Sequence, residues 1–130
     1  MASGYQQHMQ RMEALEALGR NLVRRAHARC ELCGSSHCQL TAIEVPPLPE
    51  TPDIDHAIFL CELCRDAMAG KSLQPDYWHF LEAVVWSDIP PVQMTAVRLC
   101  KRLEAQGVSW AAEILATLYL TPEVAKELDD

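Results

Sequence analysis

Aromatic residues, positive charge and long apolar segments are all scarce in this chain of 130 residues. Phe, Trp and Tyr together make up 6% of the sequence, so a modest core has to be built mainly on Leu, Val, Ala and Met. No apolar run is long enough to span a membrane, and residues 1–30 are rich in Gln, Arg and Glu, unlike a signal peptide. We therefore expect a cytoplasmic protein without a membrane-spanning segment.

Charge is distributed unevenly along the chain. Residues 1–30 carry +3, from five Arg against Glu13 and Glu16, whereas residues 31–130 carry −10, which together give the net charge of −7. Affinity for nucleic acid comes mostly from neutralising phosphates, so an acidic body is a poor general binder of DNA or RNA. Only the first segment has the right sign for that role.

Six cysteines are present, and four of them form two identical motifs. Cys30-Glu31-Leu32-Cys33 and Cys61-Glu62-Leu63-Cys64 are separated by 27 residues. A two-residue gap lets both thiolates of one tight turn reach a single Zn²⁺ at about 2.3 Å. Gly34, directly after the first pair, suits the turn that directs backbone N–H groups at the sulfurs. The spacing predicts one closed Cys₄ zinc site.

A disulfide framework is the competing interpretation of six cysteines in a small chain. Without a secretory route, however, the chain is expected in a reducing compartment, where paired Cys-x-x-Cys motifs indicate metal. Catalytic zinc usually keeps an open position with His or carboxylate ligands, whereas four thiolates close the site. We therefore expect Cys30, Cys33, Cys61 and Cys64 to hold one structural Zn²⁺.

The remaining cysteines and two histidines are not needed for this site. His37 and Cys38 follow the first motif closely and are expected in a surface loop or in fold packing. Cys100 falls on an apolar helix face and is expected to be a small buried side chain. His56 has no second histidine near it in the sequence.

The pattern predicts an α+β fold in one domain of residues 1–130, with three parts. Residues 5–28 are predicted to form an amphipathic helix. Its apolar face comprises Met12, Leu15, Leu18, Leu22, Val23 and Ala26. Residues 29–70 are predicted to form a treble-clef or zinc-ribbon finger, with strands at 39–45 and 57–60 around a proline-rich loop and a short helix at 65–69 ended by Gly70.

Residues 71–130 are predicted to form a cluster of about four helices that covers the finger, because so small a finger has almost no core of its own. Pro90-Pro91 separates the first helix from the second, which is expected to bury Val92, Ala96, Leu99 and Leu103. Ser109 is predicted to cap the third helix and Thr121 the fourth.

Four stretches are typical of one known family: Ala28 to Gly34, Glu44 to Pro47, Phe59 to Cys64, and Trp78 through Arg98-Leu99. They resemble the N-terminal zinc-ribbon region of PhnA-type proteins, over roughly residues 25–120. The family takes its name from an association with alkylphosphonate utilisation genes. The resemblance implies a zinc-binding module and no catalytic activity.

Two enzyme classes lack their catalytic groups in this sequence. A ββα-metal (HNH) nuclease needs a histidine at the end of the first strand and further His or Asn on the following helix. In this chain the first strand ends with Glu44 to Pro47, and the following helix offers Arg65-Asp66 without His or Asn. A phosphonate hydrolase needs two metals held by carboxylates and His, or Lys and Arg clamps. We expect no enzymatic activity.

The remaining interpretation is a non-catalytic module that binds a partner through its surface, and two kinds of partner are considered. In the first, the exposed helical part binds a protein partner or a second copy, with Trp78, Trp86 and Trp110 as candidate anchors. In the second, the finger and an arginine ridge on the first helix contact nucleic acid; the ridge comprises Arg20, Arg24, Arg25 and Arg29. Net charge favours the first version.

Overall fold

A computed structural model describes residues 4–129 of the chain. This part contains α-helices and one two-stranded antiparallel sheet, which confirms the predicted α+β class. The helices are α1 (Gly4–Ala17), α2 (Gly19–Ala26), α3 (Glu62–Met68), α4 (Leu81–Val84), α5 (Pro90–Ala105), α6 (Ser109–Thr117) and α7 (Pro122–Asp129). The strands are β1 (Leu40–Glu44) and β2 (Ala57–Cys61), and single 3₁₀ turns cover Ile54–His56 and Tyr77–Phe80.

The predicted first helix is broken in two at Leu18. The Leu18 N–H donates to the Leu15 carbonyl over 3.1 Å in a tight turn, and α2 restarts at Gly19, a weak helix former. Helix α1 buries no residue, and only Leu22 and Ala26 are buried on α2. The predicted apolar face is therefore wrong at Met12 and Val23, which are 44% and 40% exposed.

The hairpin pairs Leu40 with Cys61 and Glu44 with Ala57 in antiparallel register. Strand β2 is almost completely buried because the helical part covers it, whereas β1 is half-buried throughout. Helix α3 then begins directly after Cys61, three residues before the predicted start, and so takes in the second cysteine motif.

Helix α5 lies at the centre of the core. It buries nine residues, including all four that were predicted, and its two N-terminal prolines occupy the first turn, where no backbone N–H bond is lost. One cluster of buried side chains continues from the finger into the helices: Leu32, Val45, Ile58 and Leu60 on one side, Leu81, Val85, Val92, Leu99 and Leu103 on the other. The prediction that the helices cover the finger is confirmed.

Two details of the helical part test the predicted caps. The Thr121 hydroxyl accepts the Val124 N–H at 3.3 Å, which confirms Thr121 as the cap of α7. Ser109 is not a cap, because α6 already includes it and Val108 precedes the helix without a side-chain bond. Of residues 4–129, no helix combines the length and the apolar character needed to cross a bilayer.

Candidate metal centre

The four motif cysteines come together at the point where the first turn, the hairpin and α3 meet. The Sγ atoms of Cys30, Cys33, Cys61 and Cys64 all lie within 4.8 Å of one another. In the part of the chain that the structure describes, this is the one group of His, Cys, Asp and Glu side chains placed to share a metal ion. All six cysteines are free, so the structure does not support the disulfide alternative.

The first motif forms a tight turn that is closed by backbone hydrogen bonds. The Gly34 N–H donates to the Cys30 carbonyl, and the Cys30 N–H donates to the Ser35 carbonyl, both over 2.9 Å. Gly34 has φ +79°, in the left-handed region where a residue with a Cβ is strained. The glycine predicted to shape this turn is therefore needed for its backbone conformation.

The second motif is built differently, although its sequence is the same. Cys61 ends β2 in an extended conformation and precedes the first residue of α3, while Cys64 lies one turn inside that helix. Strand β2 is also bonded to the first motif, because the Glu31 N–H donates to the Phe59 carbonyl over 2.9 Å. This bond and the pairing of β2 with β1 together fix the position of Cys61 relative to the first turn.

The sulfur spacing fits a tetrahedral ion. With Zn–S bonds of about 2.3 Å, neighbouring sulfurs of a regular tetrahedron lie about 3.8 Å apart. Cys33 Sγ and Cys61 Sγ are 3.7 Å apart, and the largest separation in the group stays within 4.8 Å. Three of the four cysteines are buried, and Cys33 is half-buried, so four thiolates could enclose an ion with little solvent around it.

Hydrogen bonding and burial shift the pKa values of three of the four thiols. A hydrogen bond with Cys64 lowers the pKa of Cys30 to about 4, against the effect of burial and with help from backbone N–H groups of the two turns. The same hydrogen bond raises the pKa of Cys64, and burial raises the pKa of Cys61. A divalent cation bound by all four sulfurs has to displace the protons of Cys61 and Cys64, so metal binding should release protons and weaken at low pH.

Two polar groups outside the motifs contact the cysteines. Ser35 Oγ lies 3.0 Å from Cys33 Sγ, and the Tyr77 phenol lies near the cysteine sulfurs. Burial and the nearby cysteine sulfurs raise the pKa of Tyr77 to about 12, so the phenol stays a donor. Tyr77 belongs to the 3₁₀ turn before α4, and it links the helical part directly to the centre. Tyr77 was not among the predicted site residues, because nothing near it in the sequence indicates that it lies at the centre.

An ion pair between Arg25 and Glu31 supports the first turn. Arg25 donates from Nε and Nη2 to the two carboxylate oxygens of Glu31, both at 2.8 Å. It also donates to the carbonyls of Ile54 and Ala57 at 2.7 Å, while Glu31 Oε1 accepts the Phe59 N–H at 2.9 Å. The Glu31 side chain is only 3% exposed. The network therefore fixes α2, the first turn and β2 to one another.

The two identical motifs thus differ in the burial of their central residues. Glu31 and Leu32 of the first motif face the interior, whereas Glu62 and Leu63 of the second are exposed, Leu63 to 49%. Sequence gives no signal for this asymmetry, because it depends on which side of each turn meets the rest of the chain.

The other candidate residues lie outside the cysteine group. His37 and Cys38 are exposed, which confirms the surface-loop expectation, and Cys100 is fully buried on α5, where burial raises its pKa to about 11. His56 is held between two carboxylates, with Nδ1 3.3 Å from Asp53 and Nε2 3.1 Å from Glu127 of α7. It links α7 to the hairpin and contacts no cysteine sulfur in the hydrogen bonds described.

The arginine ridge predicted on the first helix is only partly present. Arg20, Arg24 and Arg29 are exposed, but Arg25 turns inward to Glu31. Arg11 is also engaged, since it forms a two-pronged pair with Glu44 at 2.6 and 2.7 Å and donates to two loop carbonyls. Two of the five arginines in residues 1–30 therefore have structural partners, which reduces the positive surface available to nucleic acid.

Comparison with known proteins identifies no relative. No family model matches the chain, and neither a curated protein nor a solved structure is similar to it. The resemblance to PhnA-type proteins therefore stays a prediction, and function has to be argued from the geometry of this chain.

Proposed function

We propose that the protein binds one Zn²⁺ through Cys30, Cys33, Cys61 and Cys64 and acts as a non-catalytic, zinc-stabilised interaction module. The observation that carries the proposal is the convergence of four cysteine sulfurs within 4.8 Å. Thiolates select soft or borderline ions, and a tetrahedral all-sulfur set is typical of structural zinc. Such a site leaves no position for substrate or for an activated water.

The proposal extends to the location, the domain organisation and the family of the protein. A metal site of four free thiols needs a reducing compartment, which favours the cytoplasm. The core shared by the finger and the helices supports one domain over the described residues. A cytoplasmic location and a single domain are both compatible with a zinc-ribbon module of the PhnA type, the family that the sequence resembles.

A pair of cysteine variants tests the zinc site. Protein purified without added metal should contain one zinc per chain. Cys61→Ser should lose the zinc and most of the folding stability, because metal binding and folding are one equilibrium in small zinc modules. Cys38→Ser, which changes an exposed cysteine outside the group, should keep both. A Cys61→Ser protein with full zinc content and an unchanged melting curve would show that the site is not Cys₄ zinc.

Helix α1 supplies the interaction surface in this proposal. Tyr5, Met9 and Met12 are exposed to 73%, 38% and 44%, and their spacing of four and three residues places them on one face. The opposite face, with Gln7, Arg11 and Ala14, lies toward the proline-rich loop. No residue of α1 is buried, so Tyr5, Met9 and Met12 leave an apolar stripe that is partly open to solvent.

The stripe is self-complementary, which favours a second copy of the chain as the partner. Two α1 helices packed antiparallel about a twofold axis between residues 10 and 11 would place Met9 of each beside Met12 of the other. The same arrangement brings Tyr5 beside Glu16, a phenol next to a carboxylate acceptor. Trp78 is buried and Trp110 half-buried, so of the three predicted tryptophan anchors only Trp86, 55% exposed, is available.

Sedimentation at increasing protein concentration tests this surface. We expect a dimer whose dissociation constant changes little with salt, because the contact is apolar. Met9→Glu should give a monomer that melts at the temperature of the original protein diluted below its dissociation constant, since Met9 is not part of the buried core. The matched variant Trp86→Glu should still dimerise. A monomer at every concentration refutes self-association, and a loss of dimer in Trp86→Glu alone moves the interface away from α1.

Nucleic-acid binding is the alternative. It would rest on the exposed Arg20, Arg24 and Arg29, which lie before the first cysteine turn. Binding to an oligonucleotide that falls steeply with salt and is lost in an Arg20→Ala, Arg24→Ala double variant would favour it over self-association.

A further inference from the structure

A pocket between the finger and α5 contains a positive group without a partner. The pocket has a volume of about 240 Å³ and is lined by residues of the loop after β1, of α3 and of α5: Pro46, Met68, Thr95, Arg98, Leu99 and Arg102. None of them belongs to the cysteine group or to the α1 stripe. The pocket is therefore independent of the function proposed above.

Arg98 is the unusual residue of this pocket. Among the described residues, its Nη1 is the one buried side-chain nitrogen or oxygen that has no hydrogen-bond partner. Buried polar groups are nearly always paired, and leaving a charged donor unpaired is especially unfavourable. Burial lowers the pKa of Arg98, and the negative charge of Glu127 opposes this effect only from a distance, because the carboxylate of Glu127 is bonded to His56.

The second arginine reinforces the positive charge without competing for a ligand. Arg102 lies one helical turn after Arg98 on the same face of α5. It donates to the carbonyls of Ala67 and Lys71 and so completes the end of α3. Thr95, a turn before Arg98, donates its hydroxyl to the Pro91 carbonyl at 2.8 Å. Arg98 lines the pocket without a hydrogen bond to the described residues, and two guanidinium groups attract an anion at this site. Because Nη1 is closed off from solvent, an anion in the pocket has to meet the other nitrogens of Arg98.

The walls of the pocket decide what kind of anion fits. Pro46, Met68 and Leu99 present hydrocarbon, which cannot replace the hydration shell of an inorganic phosphate or sulfate. A carboxylate needs only a guanidinium at one end, and its aliphatic tail gains from contact with the apolar walls. The volume lies below the roughly 300–1,000 Å³ of pockets for drug-sized ligands, so the ligand is small.

We propose that this pocket binds a short-chain aliphatic monocarboxylate, with the carboxylate on Arg98 and the tail against Pro46, Met68 and Leu99. Arg102 supplies long-range attraction. The site differs from the metal centre in position, in donor chemistry and in ligand.

Titration of the full-length protein with sodium hexanoate tests the proposal. At constant ionic strength, hexanoate should cause saturable shifts of the backbone amide signals of Met68, Thr95 and Leu99 in two-dimensional NMR spectra. Acetate, which lacks the tail, should bind more weakly, and inorganic phosphate should not saturate the same signals. Non-saturating shifts, or equal binding of phosphate and hexanoate, would overturn the proposal.

Substitution of the arginine completes the test. Arg98→Met keeps the length of the side chain and removes the donor, so the affinity for hexanoate should fall about tenfold or more, as expected for loss of a charge-assisted hydrogen bond. Arg24→Met, which removes an exposed arginine of α2, should bind like the original protein. Should Arg98→Met fail to fold, Arg98→Gln serves the same purpose, because it keeps a polar side chain and removes the positive charge. Unchanged affinity in the folded variant refutes the assignment.

Discussion

Replacement of Arg25 by methionine should lower the free energy of unfolding far more than replacement of an exposed arginine of the same helix. Arg25 makes four hydrogen bonds, two to the Glu31 carboxylate and two to the backbone carbonyls of Ile54 and Ala57. The pair is largely excluded from water, with side-chain exposures of 17% for Arg25 and 3% for Glu31. Screening by solvent is therefore weak at this pair.

The expected cost follows from what the substitution leaves behind. Without Arg25, the Glu31 carboxylate stays buried with the Phe59 N–H as its remaining partner among the described residues, and the carbonyls of Ile54 and Ala57 lose this donor. Removal of one member of a buried ion pair costs about 3–5 kcal/mol. Because small domains are stable by only about 5–15 kcal/mol, this is a large part of the total.

Urea unfolding at a fixed zinc concentration measures this cost. Arg24→Met is the matched control: it changes the neighbouring exposed arginine and should stay within about 0.5 kcal/mol of the original protein. The double variant Arg25→Met, Glu31→Met should recover part of the loss, because it removes the unpaired charge. If Arg25→Met unfolds at the same urea concentration as Arg24→Met, the network does not support the first cysteine turn as argued.

Two further predictions concern local contacts. Burial lowers the pKa of His56, but hydrogen bonds to the carboxylates of Asp53 and Glu127 outweigh this effect and raise the pKa above its usual value of 6.5. The stability that His56 contributes is thus fully present below about pH 6.5 and is lost as the pH rises through the raised value. The melting-temperature difference between the original protein and His56→Ala should shrink from pH 5.5 to pH 8.5, and a pH-independent difference would count against the ion pairs. Gly34→Ala should lower the free energy of unfolding by about 1–2 kcal/mol, because φ at this residue is +79°. Gly19→Ala, in open space at the start of a helix, should be neutral or stabilising. Equal unfolding midpoints for the two variants would contradict the role assigned to Gly34.

The parts of the structure that were predictable from sequence are those fixed by local patterns. The cysteine group follows from two Cys-x-x-Cys motifs, since the two-residue gap limits the geometry of each pair. Helix α5 follows from Pro90-Pro91 at its start and from apolar residues at helical spacing. The Thr121-Pro122 start of α7 is equally local.

What could not be predicted depends on contacts between distant segments. Arg24 and Arg25 look equivalent in the sequence, and only the packing of α2 against β2 decides which of them turns inward. The same holds for the different burial of Glu31 and Glu62 in identical motifs. A periodic pattern alone does not reveal the break at Leu18, nor that α1 buries no residue and leaves Met12 exposed.

X-ray absorption at the zinc edge, on protein purified without added metal, determines which atoms bind the ion. We expect one zinc per chain with four sulfur neighbours at about 2.3 Å and no nitrogen or oxygen neighbour. Three sulfurs with a nitrogen or oxygen would mean an open site and would return catalysis to consideration. Protein that is folded and contains no zinc would contradict the account altogether.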